Sequence, residues 1–303
     1  MDAVAFQEFL DQGGTVDLND PMPEEYKQAA RRIIGFQCLS EIVGGMMFAE
    51  WIPQTPGLLR KMMLTAKIQD EIDHAHYLLR ICEELGLSRQ QIIEDYLTGK
   101  SKLLNTFHYR IETWHEWPTA ALISNSAAII QFKSLAKVSF LPYARAIKRI
   151  MKEESFHYHH ALNLCVQLCK TGPEHLEKVQ VGVNKWWYPV LAYFGPPDSH
   201  NFHMQQNARW RLKMDSNDSL RQQWLTKIVP VIQGMGLSIP DPKLYWDEEK
   251  QEWDFTQPDW AEVKRIIKGG GPASEHWHAT LKRNYENLNW VRSLAYNESA
   301  LTL

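Results

Sequence analysis

Apolar residues recur at spacings of three and four through long stretches of the first half of the chain, where strand-like alternation is almost absent. This spacing puts apolar side chains on one face of an α-helix. Proline and glycine residues interrupt the pattern between the stretches. The pattern predicts four long helices, at about Glu24 to Ala49, at about Leu58 to Leu85, after Pro118, and at about Leu141 to Lys170.

Four helices of this length, with polar residues among their inner positions, predict an all-α fold built on a four-helix bundle in residues 1–172. After Pro173 the pattern changes to shorter helices punctuated by Pro, Gly and Trp. Within this part, residues 244–255 (LYWDEEKQEWDF) alternate around a polar turn and predict a β-hairpin. We expect residues 173–303 to form a C-terminal helical extension, with this hairpin, that packs on the bundle.

Composition narrows the class of protein. The chain has 303 residues, of which 44% are hydrophobic and 23% charged, which excludes the disordered and low-complexity classes. Lys and Arg number 33 and Asp and Glu 36, with no run of five like charges, so binding to nucleic acid through phosphate neutralisation is disfavoured. Acids at Asp2 and Glu8 argue against a signal peptide, and no uninterrupted apolar run approaches the ~18 residues of a membrane span. We expect a cytoplasmic protein without a nucleic-acid or membrane partner.

Cysteine and tryptophan usage adds two expectations. The four cysteines show neither a CxxC redox motif nor a paired zinc spacing, so we expect reduced thiols, mostly in the core. Large aromatic residues commonly serve cores and subunit interfaces. The many Trp and Tyr of the C-terminal half therefore favour an oligomer.

Two short motifs, DEIDH (70–74) and EESFH (153–157), each contain Glu-x-x-His. Residues three apart on a helix share a face, so Glu71 with His74, and Glu154 with His157, can each meet one metal ion. One such motif arises by chance in many helices, where it is a surface pair. Two of them on separate long helices favour a metal site.

The first long helix carries a lone acid, Glu41, in the apolar run LSEIVGGMM, where an unpaired carboxylate would be costly to bury. Glutamates from two helices plus Glu-x-x-His from two others form the ligand set of ferritin-like di-iron carboxylate proteins. Asp70 and Glu153, next to the ligand glutamates, are candidates to hold the free histidine N–H groups and fix their tautomers.

The fourth carboxylate is missing from the pattern, since the third helix offers the neutral amide of Asn125. Three outcomes stay open: Asn125 is a poor ligand, another side chain compensates, or the site holds one metal or none. The candidates for compensation are Glu112, Glu116, His76 and His160.

One turn before Glu71 lies Lys67. Its ammonium could neutralise a substrate anion or pair with Asp70, and the residues alone favour the pair with Asp70.

The chain resembles the catalytic components of the multicomponent phenylacetyl-CoA epoxidase family. The resemblance covers nearly the whole chain, and the combination of QDE-x-x-H with KEESFH is specific to it. The segments that carry it are SEIVG (40–44), AKIQDEIDH (66–74), PYARAIKRIMKEESFH (142–157), FGPPD (194–198) and PDPKL (240–244).

This resemblance implies a ferritin-like bundle, two iron ions, O2 as co-substrate, and epoxidation of an aromatic acyl group held as a CoA thioester. It also implies a related metal-free structural subunit, or a homo-oligomer, and a reductase with flavin and an iron-sulfur cluster. The residues that match the family's metal ligands are Glu41, Glu71, His74, Glu154 and His157.

The same match places Lys67 near the substrate. Asn125 stands where the family has an acid, and Asp73 where it has a small residue before the ligand histidine.

Two functions follow. The first is a di-iron oxygenase component that takes electrons from a separate reductase. The second is a ferritin-like structural or regulatory subunit, or a mononuclear variant with altered chemistry, because Asn125 replaces the third-helix carboxylate. A scaffold has no physical reason to bury five acid and imidazole groups together, so the first is preferred.

Overall fold

The four predicted long helices all form in the computed structural model, which describes residues 2–200 and 202–288. The described helices are α1 (Ala3–Asp11), α2 (Glu24–Ala49), α3 (Leu58–Glu84), α4 (Arg89–Leu97), α5 (Glu116–Leu135), α6 (Leu141–Thr171), α7 (Pro173–Leu191), α8 (Phe202–Arg209), α9 (Asn217–Gly234), α10 (Trp260–Arg265) and α11 (Ser274–Asn287). Residues 289–303 of the predicted extension lie outside the described residues.

The ends of the long helices follow local chemistry. Helix α2 begins directly after Pro23, and α6 carries Pro142 in its first turn, where the missing N–H has no helical partner to lose. Helix α3 ends before Gly86, which has a φ of 82°. Glycine adopts this left-handed conformation without a steric penalty, so the chain can reverse there.

The bundle consists of α2, α3, α5 and α6. Helix α2 packs against α3, α3 against α6, and α6 against α5, while α2 and α5 face each other across a cavity. The all-α fold with a helical bundle is therefore confirmed.

The extension lies against the bundle. Helix α7 packs on α5 and α6, and α9 packs on α5. A Cβ at Gly182 of α7 would lie 2.9 Å from the Thr119 Cβ, so glycine allows these helices to touch. The predicted hairpin is confirmed as antiparallel strands β1 (Tyr245–Asp247) and β2 (Glu252–Asp254).

Four tryptophans of the extension are core residues. Trp186, Trp187, Trp224 and Trp277 are all buried inside this chain. The Trp224 Nε1–H donates to Ser126 Oγ at 2.8 Å, which anchors α9 on α5. These four side chains are part of the core of this chain, and the oligomer stays a prediction.

Helix α2 is long and apolar enough to cross a membrane by length and composition alone. More than half of its most apolar stretch is buried, and a buried core helix can have the same length and composition. The cysteines match expectation, because Cys38, Cys82 and Cys165 are buried free thiols.

Candidate metal centre

Three bundle helices bring four buried donor side chains together. Glu41 comes from α2, Glu71 and His74 from α3, and Glu154 from α6. One ligand atom from each lies within 4.8 Å of those of all the others. Donors this close can share one metal ion, whose ligand bonds are about 2.0–2.2 Å long.

His74 turns one ring nitrogen toward this cluster and the other away from it. Its Nδ1 is 3.6 Å from Glu41 Oε2 and 3.6 Å from Glu154 Oε1, and is buried without a hydrogen-bond partner. Its Nε2 lies 2.9 Å from Glu153 Oε2. With the Nε2–H donated to Glu153, the Nδ1 atom is the one available to a metal.

His157 on α6 is arranged like His74 on α3, since its outer ring nitrogen also bonds an acid of the other helix. Its Nε2 lies 2.9 Å from Asp70 Oδ2, and its Nδ1 is 3.2 Å from Glu154 Oε1 and 3.7 Å from Glu71 Oε1. The structure thus places Asp70 on α3 against the histidine of α6, and Glu153 on α6 against His74 of α3. Each motif orients the imidazole of the other.

Lys67 is part of the cluster. Its ammonium pairs with Glu71 and lies 3.3 Å from His157 Nδ1 and 4.6 Å from the centre of the Phe48 ring. The expected pair of Lys67 with Asp70 was wrong. Asp70 contacts the outer ring nitrogen of His157, whereas the Lys67 ammonium pairs with Glu71 inside the cluster.

The charges in this buried site shift several pKa values. Burial raises the pKa of Glu41 to about 7, and the neighbouring carboxylates add to the rise. Burial alone would raise the pKa of Glu71, but Lys67 and the imidazoles lower it to about 2. Burial alone would lower the pKa of His74, but the three glutamates raise it to about 10. A metal at the Nδ1 atom of His74 would compete with the proton that these glutamates favour on the imidazole.

Asn125 of α5 is 6% exposed and lines the same cavity as the three glutamates. Its Nδ2 is buried without a hydrogen-bond partner. The amide is thus near the site but brings no negative charge to it.

The predicted substitutes for the missing acid lie elsewhere. The Glu116 carboxylate accepts from the Trp186 Nε1–H at 2.8 Å and pairs with Lys185 at 2.7 Å. Glu112 also pairs with Lys185. The His160 ring packs against Trp117, and His76 is exposed. Among the described residues, none of the four joins the cluster.

Sequence reasoning missed two residues beside the site. Gln37 of α2 donates from Nε2 to Glu41 Oε1 at 3.1 Å, and Tyr143 of α6 donates to Gln37 Oε1. Gln37 precedes Glu41 by four residues, so the i, i+4 rule could have identified it. Tyr143 comes from another helix, so only packing brings it there.

A cavity of about 770 Å³ opens beside the cluster. Glu41, Glu71 and Glu154 line it and are buried, and much of its wall is apolar. Lys102, Lys213 and Lys264 also line it, and the first and last of these are exposed. This volume suits a small-molecule substrate.

The donor set fits one metal ion well. His74 Nδ1 has no hydrogen-bond partner and lies 3.6 Å from a carboxylate oxygen of both Glu41 and Glu154, so in its unprotonated form it offers a lone pair to a metal between them. A second ion beside His157 would share Glu71 and Glu154 and would meet Lys67, and α5 offers the cavity the neutral amide of Asn125 and not a fourth carboxylate. That second position is one carboxylate short.

Comparison with known proteins gives the same family as the motifs. Residues 7–290 match the profile of a family described as phenylacetic acid catabolic protein. The chain is 33% identical over 290 residues to one of the subunits of 1,2-phenylacetyl-CoA epoxidase from Escherichia coli strain K12. That alignment covers 96% of this chain and 94% of the relative.

Proposed function

Because the chain belongs to the phenylacetic acid catabolic protein family, we propose that it is an oxygenase component that activates O2 and oxygenates an aromatic acyl group carried as a CoA thioester. The observation that carries this proposal is the cluster of Glu41, Glu71, His74 and Glu154 beside a ligand-sized cavity. The chain is then an oxidoreductase of phenylacetate catabolism, and epoxidation is the expected reaction.

Iron is the metal that suits this use, since carboxylate and imidazole donors with open positions support O2 chemistry. We propose a firmly held iron at Glu41, Glu71, His74 and Glu154. A second, more weakly held iron would use Glu71, Glu154 and His157, with Asn125 nearby. When bound, the iron would supply O2 activation and transfer of oxygen to a substrate π-bond.

The protein's own residues prepare the site for this. Asp70 and Glu153 accept the outer N–H groups of the two histidines, so the inner nitrogens face the metal position. The apolar cavity wall, which includes Phe48 and Phe132, excludes water from the reacting centre.

The CoA carrier is supported by charge along the cavity. Lys102, Lys213 and Lys264 line it, and none forms an ion pair with a carboxylate in the described part of the chain. Burial lowers the pKa of Lys213 to about 8, although the nearby carboxylates of Asp198, Asp215 and Asp218 oppose this shift. An acyl group at the carboxylate end would leave the phosphates of CoA toward these lysines.

The partners follow from the chemistry and the relative. An oxygenase of this kind needs an electron donor, for which a reductase with flavin and an iron-sulfur cluster is proposed. The relative is itself one component of a larger enzyme, so a second proposed partner is a related structural subunit. The cytoplasm is the proposed location.

The test is iron content after anaerobic loading with Fe(II), measured by elemental analysis and Mössbauer spectroscopy. We expect one firmly held iron per chain and a second that is lost on dialysis, and loss of both in Glu154→Ala because both positions share that carboxylate. Glu177→Ala, at an exposed position on α7, is the control. Unchanged iron content in Glu154→Ala would remove the basis of the proposal.

A second candidate is a structural or regulatory subunit without redox chemistry, which Asn125 favours. The same loading experiment separates the two, because a scaffold would bind no iron. Loaded protein combined with its reductase should also oxygenate phenylacetyl-CoA, which a scaffold would not do.

A further inference from the structure

A hydrogen-bonded chain leads from Tyr143 through Gln37 to Glu41. The Tyr143 hydroxyl, in the first turn of α6, donates to Gln37 Oε1, and Gln37 Nε2 donates to Glu41 Oε1 at 3.1 Å. We infer that Gln37 is a positioning residue that presents Glu41 to the metal through one oxygen, and that Tyr143 locks Gln37 in this role. The inference rests on the proposed function, since it assigns residues that serve the same metal centre.

The donor and acceptor roles in this series of hydrogen bonds follow from the chemistry of the three side chains. Gln37 turns its NH2 group to Glu41, which is the orientation that an ionised, metal-binding carboxylate requires, because such a carboxylate only accepts hydrogen bonds. Its carbonyl then faces Tyr143, whose hydroxyl can donate. The reverse amide orientation would bring two acceptor oxygens together. Tyr143 is 2% exposed, so water cannot easily replace it as the donor.

The hydrogen bond from Gln37 makes the two carboxylate oxygens of Glu41 unequal. Oε1 is engaged by Gln37, whereas Oε2 lies 3.6 Å from His74 Nδ1, on the side of the proposed metal position. A carboxylate held in this way is ready to bind through Oε2 alone. Without Gln37 its terminal torsion would be free, and ordering it would oppose binding.

Each of the three glutamates of the cluster has a side chain that contacts its carboxylate. Glu71 is held by Lys67, and Glu154 Oε1 is contacted by His157 Nδ1 at 3.2 Å. Gln37 is the corresponding neighbour of Glu41 but is neutral. It orients the carboxylate without cancelling the negative charge that attracts a cation.

The experiment uses Co²⁺ as the probe, because its visible absorption reports ligand geometry independently of activity. Gln37→Leu should weaken Co²⁺ binding by roughly 10–100-fold, the usual cost of removing such a group, and change the absorption bands. Tyr143→Phe should weaken it by roughly two- to tenfold, the worth of one hydrogen bond. In the double variant Tyr143→Phe should add nothing, because the hydroxyl acts only through Gln37.

Matched controls come from helix α2 itself. Gln28 also bonds a glutamate four residues away, Glu24, but at an exposed position, and Tyr26 has a buried hydroxyl bonded to Ser139. Gln28→Leu and Tyr26→Phe should leave Co²⁺ binding unchanged. Wild-type affinity and spectrum in Gln37→Leu would overturn the inference while leaving the proposed function standing. Failure of the wild-type protein to bind Co²⁺ would overturn both.

Discussion

The side chain at position 125 sets the charge of the candidate metal centre. An aspartate there would bring a fourth carboxylate to the cavity shared by Glu41, Glu71 and Glu154, whereas Asn125 brings a neutral amide. Lys67 places a positive charge beside Glu71 and His157. Both features lower the attraction for a second cation.

Asn125→Asp should therefore destabilise the metal-free protein but strengthen binding of a second metal ion. In the metal-free protein a buried, unpartnered carboxylate should lower the free energy of unfolding by about 1–3 kcal/mol. With metal present the second ion should bind roughly 10–100-fold more tightly. Urea denaturation and metal titration measure the two effects.

Asn105→Asp is the control for that change. Asn105 also lines the cavity and is buried, but its Nδ2 donates to the Pro189 carbonyl oxygen at 2.6 Å. Asn105→Asp should lower the free energy of unfolding both with and without metal, and it should not increase the affinity for metal. If Asn125→Asp behaved in the same way, Asn125 would not belong to the metal site.

At the scale of elements, short segments close the cavity wall. The single turn Asn105–His108 contacts the segment that leads into α11. His108 Nδ1 lies 2.6 Å from Ser274 Oγ, and the His108 carbonyl oxygen accepts from the Ala273 N–H at 2.8 Å. A Cβ at Gly271 would lie 2.5 Å from the His108 Cβ, so the two segments are in close contact.

This contact predicts a loss of stability in acid. Burial lowers the pKa of His108 to about 4, below the ~6.5 of an unfolded histidine. The folded state therefore binds fewer protons, and the contribution of neutral His108, complete above pH ~6.5, declines as the pH falls toward ~4. Between pH ~6.5 and ~5 the loss is about 2 kcal/mol.

Urea denaturation at the two pH values tests it. His108→Asn should reduce the pH dependence of the unfolding free energy by about that amount, whereas His76→Asn, at an exposed position, should not. An unchanged pH dependence in His108→Asn would show that this imidazole is not held neutral by its contact with α11.

At the scale of the whole molecule, the cavity joins parts of the chain that are far apart in sequence. Its wall includes residues of α2 and α5, the segment before α5, the segment after α7, and α10. The bundle supplies the carboxylates, and the segments around it supply Lys102, Lys213 and Lys264. Carboxylates that could bind a metal and lysines that could attract an anion therefore line one cavity.

Replacing these lysines should weaken binding of a CoA thioester more than binding of the free acid. Lys213→Gln and Lys264→Gln should each lower the affinity for phenylacetyl-CoA severalfold and reduce its salt dependence, because each removes a charge that attracts phosphate. Isothermal titration at two salt concentrations measures this. Lys148→Gln, an exposed change on α6 away from the cavity, is the control. Equal losses for the free acid would argue against a phosphate-bearing carrier.

The sequence by itself determined the long helices and the candidate metal donors. Helices α2, α3 and α6 carry enough apolar periodicity to specify their bounds to within one residue. Spacing of three placed Glu71 with His74, and Glu154 with His157, on shared helix faces, because local helix geometry alone sets that relation. Short elements such as α1 and the turn at Asn105–His108 were not predicted, since they carry too few residues for a periodic pattern.

Only the tertiary structure decided how these pieces meet. The pairing of Asp70 with His157, the inward turn of Lys67, and the contact of Tyr143 with Gln37 all join different helices or depend on their rotation. The burial of Trp186 and Trp224 likewise depends on the extension lying on α5. Such contacts arise from packing between segments far apart in the chain, which no local spacing encodes.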